Sequence, residues 1–409
     1  MAITTTPGAS PLSAYLPNVF VGSVASANPV KWAYVEVFIN AISTATIPVP
    51  LLSESPAGTY NFEVDVQAVL QDSLAPTPSD KSEVFGTLNT STITLCADAH
   101  LEYSVELTYK YIDPTTGLLT DLGVIDTSGL YYAIDATRQR KEAQDFLLYI
   151  PDSTTPDTQK WLTNSPLTQT ICPDENAFLC HIAISAATQM RVRTFNDGGG
   201  LIDEGFITIN TSTVYEVQTL GVGIPQLSGI AWRDQGGAPT TVSFTGIYSY
   251  TIELSDTVFP YPDYIQTRTF IVESCCSNSV RLHWLNLLGG ADSYTFKSLQ
   301  KKSNIISYET GQKALNKTFT YSDRGAFKYF TDASTLYEAS SPPLEPTAAD
   351  WLKEVALSNE VYLETADGLL PVVVRVEEVQ TEKRVTGELN LVVIKITFTE
   401  ANDLIIQHA

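Results

Sequence analysis

Between positions 101 and 111 the chain alternates strictly. Leu101, Tyr103, Val105, Leu107, Tyr109 and Tyr111 interleave with Glu102, Ser104, Glu106, Thr108 and Lys110. Successive side chains of a strand point to opposite faces, so this period of two predicts a half-buried strand with one wet face. Tyr60, Phe62, Val64, Val66 and Ala68 repeat the design against Asn61, Glu63, Asp65 and Gln67. Two long strands of this kind imply an antiparallel sheet. Turn-rich clusters at 53–58, 75–80 and 113–117 separate the runs at the spacing of a β-sandwich. Alternation starts at Trp32, whereas residues 1–30 are rich in Thr, Ser, Pro and Ala without periodicity and are expected to form an extended arm.

A basic-tinged stretch, 135–149 (DATRQRKEAQDFLLY), reads as a short helix or a linking strand and marks the end of a first module, 31–141. A second module, 142–276, has strand patterns at 242–254 and 265–272. In it, Asn196-Asp197-Gly198-Gly199-Gly200 supplies the permissive backbone of a hairpin turn. The last module, 277–409, opens with a strand at 280–285. A tight turn at Gly289-Gly290-Ala291-Asp292 follows, then a returning strand from Tyr294, with Trp284 and Phe296 over the turn. Thr347 reads as a helix N-cap with Asp350 in the first turn, which predicts a short helix over 348–357. Trp351, Leu352 and Val355 share one face of that helix and should dock on a sheet. Strands at 361–364 and 370–376 flank a turn at 366–368, and a final pair closes the module, with Val392, Ile394, Ile396 and Phe398 inward and Lys395 and Thr397 outward. The expected fold is mainly β, with two or three antiparallel β-sandwich modules in series and one short helix in the last.

A length of 409 residues exceeds what a single core supports, in keeping with several modules. Only 17% of residues are charged, with Ser, Thr and Tyr making up the difference, which suits strands and turns. The net charge of −22 is unevenly placed. Residues 277–409 carry 13 Lys+Arg against 17 Asp+Glu, net −4, which leaves 11 against 29, net −18, for residues 1–276. Such a field repels phosphates, so neither nucleic acid nor an anionic membrane surface is an expected partner. The longest apolar runs are too short for a membrane helix, and residues 1–18 show no secretory pattern. Five cysteines at irregular spacing do not read as a disulfide framework, which points to folding in a reducing cytoplasm.

Candidate chemistry is sparse. Cys172, Asp174, Glu175, Cys180 and His181 are the nearest approach to a metal cluster, but seven residues between the cysteines is not zinc-ligand spacing, and ordinary burial explains them better. Adjacent Cys275 and Cys276 would point to opposite faces of a strand and lack the spacing of a redox pair. His100 and His283 sit in strand-like surroundings, and His408 lies at a terminus expected to be disordered. Acid pairs such as Asp203-Glu204 and Glu377-Glu378 are unremarkable among 46 carboxylates. No nucleophile elbow, phosphate loop, zinc-protease or dinucleotide fingerprint occurs, so neither catalytic residues nor a cofactor is assigned.

The most distinctive segment is 281–296, RLHWLNLLGGADSYTF. Its Trp284, Asn286, Gly289, Gly290, Asp292 and Phe296 resemble a signature of tail-associated structural proteins of tailed bacteriophages and prophages of Bacteroidetes hosts. The likeness continues through DWLKEV at 350–355, which includes Trp351, SNEVYL at 358–363 and LPVVV at 370–374. It covers about the last 130 residues and resembles the terminal β-domain of distal tail or baseplate components. The resemblance implies a virion protein, made in the bacterial cytoplasm, that acts at a tail end, baseplate or neck ring. Its implied partners are copies of itself and other virion proteins, with a host-surface glycan as a further ligand. Two other readings stand beside it. One is a carbohydrate-binding adhesin stacking sugars on Tyr131, Tyr132, Tyr261 or Tyr264, and the other is a carboxylate-based glycan-processing enzyme within 142–276.

Overall fold

The computed structural model describes residues 2–5, 12–14, 17–25, 30–49, 51–54, 59–74, 93–95, 100–112, 115–136, 146–151, 159–183, 188–209, 215–256, 265–273, 279–314, 317–318, 320, 325–375, 392–401 and 405–408. The fold is mainly β, with five sheets among these residues. The expected turns at 55–58 and 75–80, most of the 135–149 stretch, Tyr261, Tyr264, Cys96, Cys275, Cys276, Glu377 and Glu378 lie outside them.

The first module packs two sheets. One orders Ala2–Thr5, Val19–Ala25, Thr59–Asp65 and Leu51–Glu54. The other orders Leu12–Ser13, Tyr131–Ile134, His100–Ile112, Val30–Ile39 and Ile42–Val49, with Leu119–Thr127 also on His100–Ile112. Phe62, Val64, Leu101, Tyr103, Val105 and Leu107 fill the core between them, and the intervening residues are more exposed, so the period of two was a true signal here. The expected N-terminal arm is corrected. Val19–Ala25 pairs with Thr59–Asp65 in full register, and Phe20 lies in the core edge-on to Tyr103 and Tyr131. The alternation read through Ala68 also stops early. The Asp65 carboxylate accepts the Gln67 N–H at 2.9 Å, turning the chain into the helix Gln67–Leu74. Leu70 and Leu74, one helical turn apart, then cover the end of the core.

In the middle module a five-stranded sheet runs Thr168–Ile171, Arg268–Val272, Ser249–Asp256, Thr188–Phe195, Leu201–Ile209. Its outermost pair, Thr168–Ile171 with Arg268–Val272, is parallel. The hairpin turn at 196–200 forms as expected, with the Asn196 side chain accepting the Gly200 N–H at 2.8 Å and Gly199 at φ +74°. A smaller sheet joins Phe178–Ile182, Val217–Gly221 and Ile93–Leu95. That last strand comes from before position 141, so the first and second modules share a sheet and do not separate cleanly there. Trp161, Leu179, Val192, Leu220, Tyr250, Ile252 and Phe270 form the core between the two sheets.

The C-terminal module is one eight-stranded antiparallel sheet. It runs Ala291–Phe296, Val280–Leu285, Val361–Thr365, Gly368–Arg375, Lys395–Glu400, Ala326–Ser340, Ser298–Gln312, and Ile405–His408 also pairs with Ala326–Ser340. His408 is therefore the end of a paired strand, where disorder was expected. Helical turns Pro346–Leu352 and Glu354–Leu357 lay Trp351, Leu352 and Val355 onto the sheet against Trp284, Phe296, Ile394, Ile396 and Phe398. Thr347 is not the cap. Glu345 holds that position without a side-chain bond, because Pro346 presets the first helical φ and starts the helix earlier. Asp350 accordingly falls past the first turn and pairs with Lys353 at 2.5 Å. A fourth cluster, containing Ile134, Phe146, Leu162, Phe178, Cys180, Val217, Leu288, Ala291 and Tyr362, draws on all three modules.

The helix in place of a strand end has a direct test. In a strand Leu70 and Asp72 would share a face, whereas in the helix Leu70 is buried and Asp72 exposed. Chemical denaturation should show Leu70→Ala losing about 2–4 kcal/mol and Asp72→Ala less than about 0.5 kcal/mol. Equal losses would restore the strand.

Candidate functional site

The strands Val280–Leu285 and Ala291–Phe296 form a hairpin buried on both faces. Leu282, Trp284 and Phe296 enter the helix-covered core, where the Trp284 ring lies 5.4 Å from that of Trp351. Trp284 and Phe296 are thus core residues and do not cover the turn. The alternate set, Arg281, His283, Ser293 and Thr295, faces the middle module and not water.

Asn286 organises the turn. Its Oδ1 accepts the N–H groups of Leu288 and Gly290 at 3.0 and 2.9 Å, and its Nδ2 donates to the Leu162 carbonyl at 2.8 Å. Gly289 has φ +84°, and a Cβ there would stand 2.6 Å from the Asp135 carbonyl. A Cβ on Gly290 would stand 2.4 Å from the Leu162 carbonyl. The paired glycines therefore admit two other stretches of backbone, one ending the first module and one from the middle module. Asp292 belongs to the returning strand rather than the turn, and its carboxylate accepts the Trp351 indole N–H at 2.8 Å. Burial pushes the Asp292 carboxyl up, against hydrogen bonds from Thr163, Trp351 and Asn286. Next to it the Ala291 N–H donates to the Cys180 sulfur at 3.1 Å. All seven signature residues, Trp284, Asn286, Gly289, Gly290, Asp292, Phe296 and Trp351, are brought together in this hairpin and the helix packed on it.

A buried polar seam extends from the turn. Arg281 donates from Nε to the Asn176 carbonyl at 2.7 Å and pairs with Glu175 at 3.2 Å, while Thr295 donates to Glu175 at 2.8 Å. Asn176 Nδ2 donates to Glu364 at 2.6 Å, and the other oxygen of Glu364 meets His283 Nε2 at 2.8 Å. Burial holds the His283 ring below its usual pKa and hence neutral at pH 7. The Glu364 carboxyl would be raised by burial, but its bond with His283 and the Arg281 charge hold it low. An ionised Glu364 only accepts, so His283 carries its proton on Nε2 and accepts the Ser293 hydroxyl at Nδ1, 2.7 Å away. At the turn itself, Glu354 accepts Asn164 Nδ2 at 2.8 Å and the Leu287 N–H at 3.4 Å. Burial, and then the Asp292 charge, push its carboxyl up to about 7.

Of the metal candidates, Cys172, Glu175 and Cys180 are engaged elsewhere. Cys172 is disulfide-bonded, although the cysteine spacing does not read as a disulfide framework, and Glu175 belongs to the seam. The Cys180 thiol contacts Thr219 Oγ1 at 3.1 Å, and burial lowers the His181 pKa to about 4. Among the described residues, no three His, Cys, Asp or Glu side chains converge as metal ligands, and no helix is long and apolar enough to cross a membrane. Glu354, Glu364, Asn164 and Asn176 escaped the sequence reading because they are distant in sequence from the hairpin and meet one another only on folding. The available signal was the Arg and His inside VRLHWL, too costly to bury without partners and out of place on a strand otherwise apolar.

Fold and site together define a mainly-β, multi-module protein joined through a buried polar seam. Comparison with protein-family models and with curated proteins finds no match.

Glu354 makes the seam sensitive to pH. A carboxyl whose pKa is higher folded than unfolded holds its proton more tightly in the native state. Its contribution is therefore full below the unfolded value and is lost as pH rises through about 7. Glu354→Gln mimics the protonated form, so its stability relative to wild type should grow by about 1–3 kcal/mol between pH 5 and pH 8. Taking the difference cancels the opposite slope from His181. Melting curves across that range would contradict the assignment if the difference did not change with pH.

Proposed function

We propose that the protein is a structural component of the tail of a tailed bacteriophage, acting by assembly with copies of itself and with other virion proteins. One observation carries the reading. The hairpin that bears the resemblance to tail-associated proteins uses Arg281, His283, Asn286, Asp292, Ser293 and Thr295 to bond neighbouring strands, the covering helix and the middle module. A reaction centre presents its polar groups to a ligand, whereas these groups fix the orientation of one module on another. The uneven charge supports a protein partner over nucleic acid, since residues 1–276 carry net −18.

The carbohydrate reading gains nothing from its described aromatics. Tyr131 packs 5.4 Å from Phe20 and 5.7 Å from Tyr103, and Tyr132 lies edge-on to Tyr215 at 5.0 Å. Cryo-electron microscopy and mass spectrometry of purified particles from the virus or prophage that encodes the chain test the proposal. The expected result is symmetric copies in the tail, at its end, baseplate or neck. Particles complete without the protein would contradict it.

A further inference from the structure

The strands Ser298–Gln312 and Ala326–Ser340 form a ribbon about 50 Å long at the edge of the C-terminal sheet. Ala326–Ser340 is backed by Lys395–Glu400 and Ile405–His408, but among the described residues Ser298–Gln312 pairs in the sheet with Ala326–Ser340 alone. Residues 304–310 are exposed on both faces. Ile305 and Ile306 are adjacent, hence on opposite faces, and are 46% and 57% exposed, while Tyr308 is 54% and Phe327 43% exposed. A ribbon with apolar groups on two open faces is marginal alone and invites a partner.

Its charge indicates which partner. Residues 298–340 carry 6 Lys+Arg against 4 Asp+Glu, net +2, leaving 18 against 42, net −24, for the rest of the chain. Lys301, Lys302, Lys313, Lys317 and Lys328 are all exposed. The acidic 1–276 part of a second copy supplies carboxylates to face these lysines, so the chain carries its own charge complement. Two such edges paired with each other antiparallel about Ser307 would set Lys301 against Lys313, and like charges directly opposite destabilise a sheet. We infer that this ribbon docks on the acidic 1–276 part of a second copy, head to tail, a heterologous contact that generates a ring or a filament. The inference rests on the assembly reading above and gives it a surface.

The test uses the full chain in analytical ultracentrifugation, as wild type and as the combined variant K301E, K302E, K313E, K317E and K328E. Wild type should self-associate at low salt and dissociate as salt is added, and the variant should associate about two orders of magnitude more weakly while still unfolding in one cooperative transition. If the variant folds poorly, the salt titration of wild type decides alone, and association insensitive to salt overturns the inference. A folded variant that assembles like wild type overturns the ribbon's role and leaves self-assembly standing. A wild type monomeric up to its solubility limit overturns both. So does a monomeric wild type that binds duplex DNA or phosphatidylserine vesicles through these lysines, which would make the ribbon a polyanion site.

Discussion

A charged or polar side chain inside a protein is costly unless its partners are already in place, and this constraint governs the seam between the middle and C-terminal modules. Arg281, Glu175, His283, Glu364 and Asp292 are all largely out of water, and each is tolerated because a group from another segment meets it. Displacing one module against the other by a few ångströms would leave several of them buried and unpaired. The seam therefore supplies registry more than raw stability, since apolar residues of the same volume would pack there at lower electrostatic cost.

The turn at 286–290 extends that registry to a third segment. Gly289 and Gly290 leave room for the carbonyls of Asp135 and Leu162, and Asn286 ties its own turn to Leu162. The mixed cluster containing Ile134, Leu162, Cys180 and Leu288 closes around this point, and Ile93–Leu95 crosses from the first module into the middle one. The modules are thus coupled by packing, by hydrogen bonds and by a shared sheet. Such coupling fits the proposed role in an assembly.

Legibility in the sequence followed burial. Where one face of a strand is buried and the other wet, as at 61–65 and 101–107, the alternation gave the element directly. The two longest strands, Ser298–Gln312 and Ala326–Ser340, went unread because little of either is buried and no period is imposed. At 280–296 the strands are legible but the sealing of their polar face is not, because the module that covers it is distant in sequence. The N-terminal strands were missed for a third reason: the apolar run VFVGSVA is flanked by Thr, Ser and Pro that look like linker. The signature hairpin was found from its residue types, while its partners Glu175, Asn164, Asn176, Glu354 and Glu364 are distant in sequence and converge only on folding.

A rigid joint makes a direct demand on dynamics. If the seam locks the modules, the amides of Asn286, Gly290 and Ala291 can open only when the middle module opens too. Hydrogen exchange followed by mass spectrometry should then show peptides covering 281–296 exchanging at the same slow rate as those covering 177–183. Fast exchange of the hairpin while 177–183 stays protected would contradict the joint.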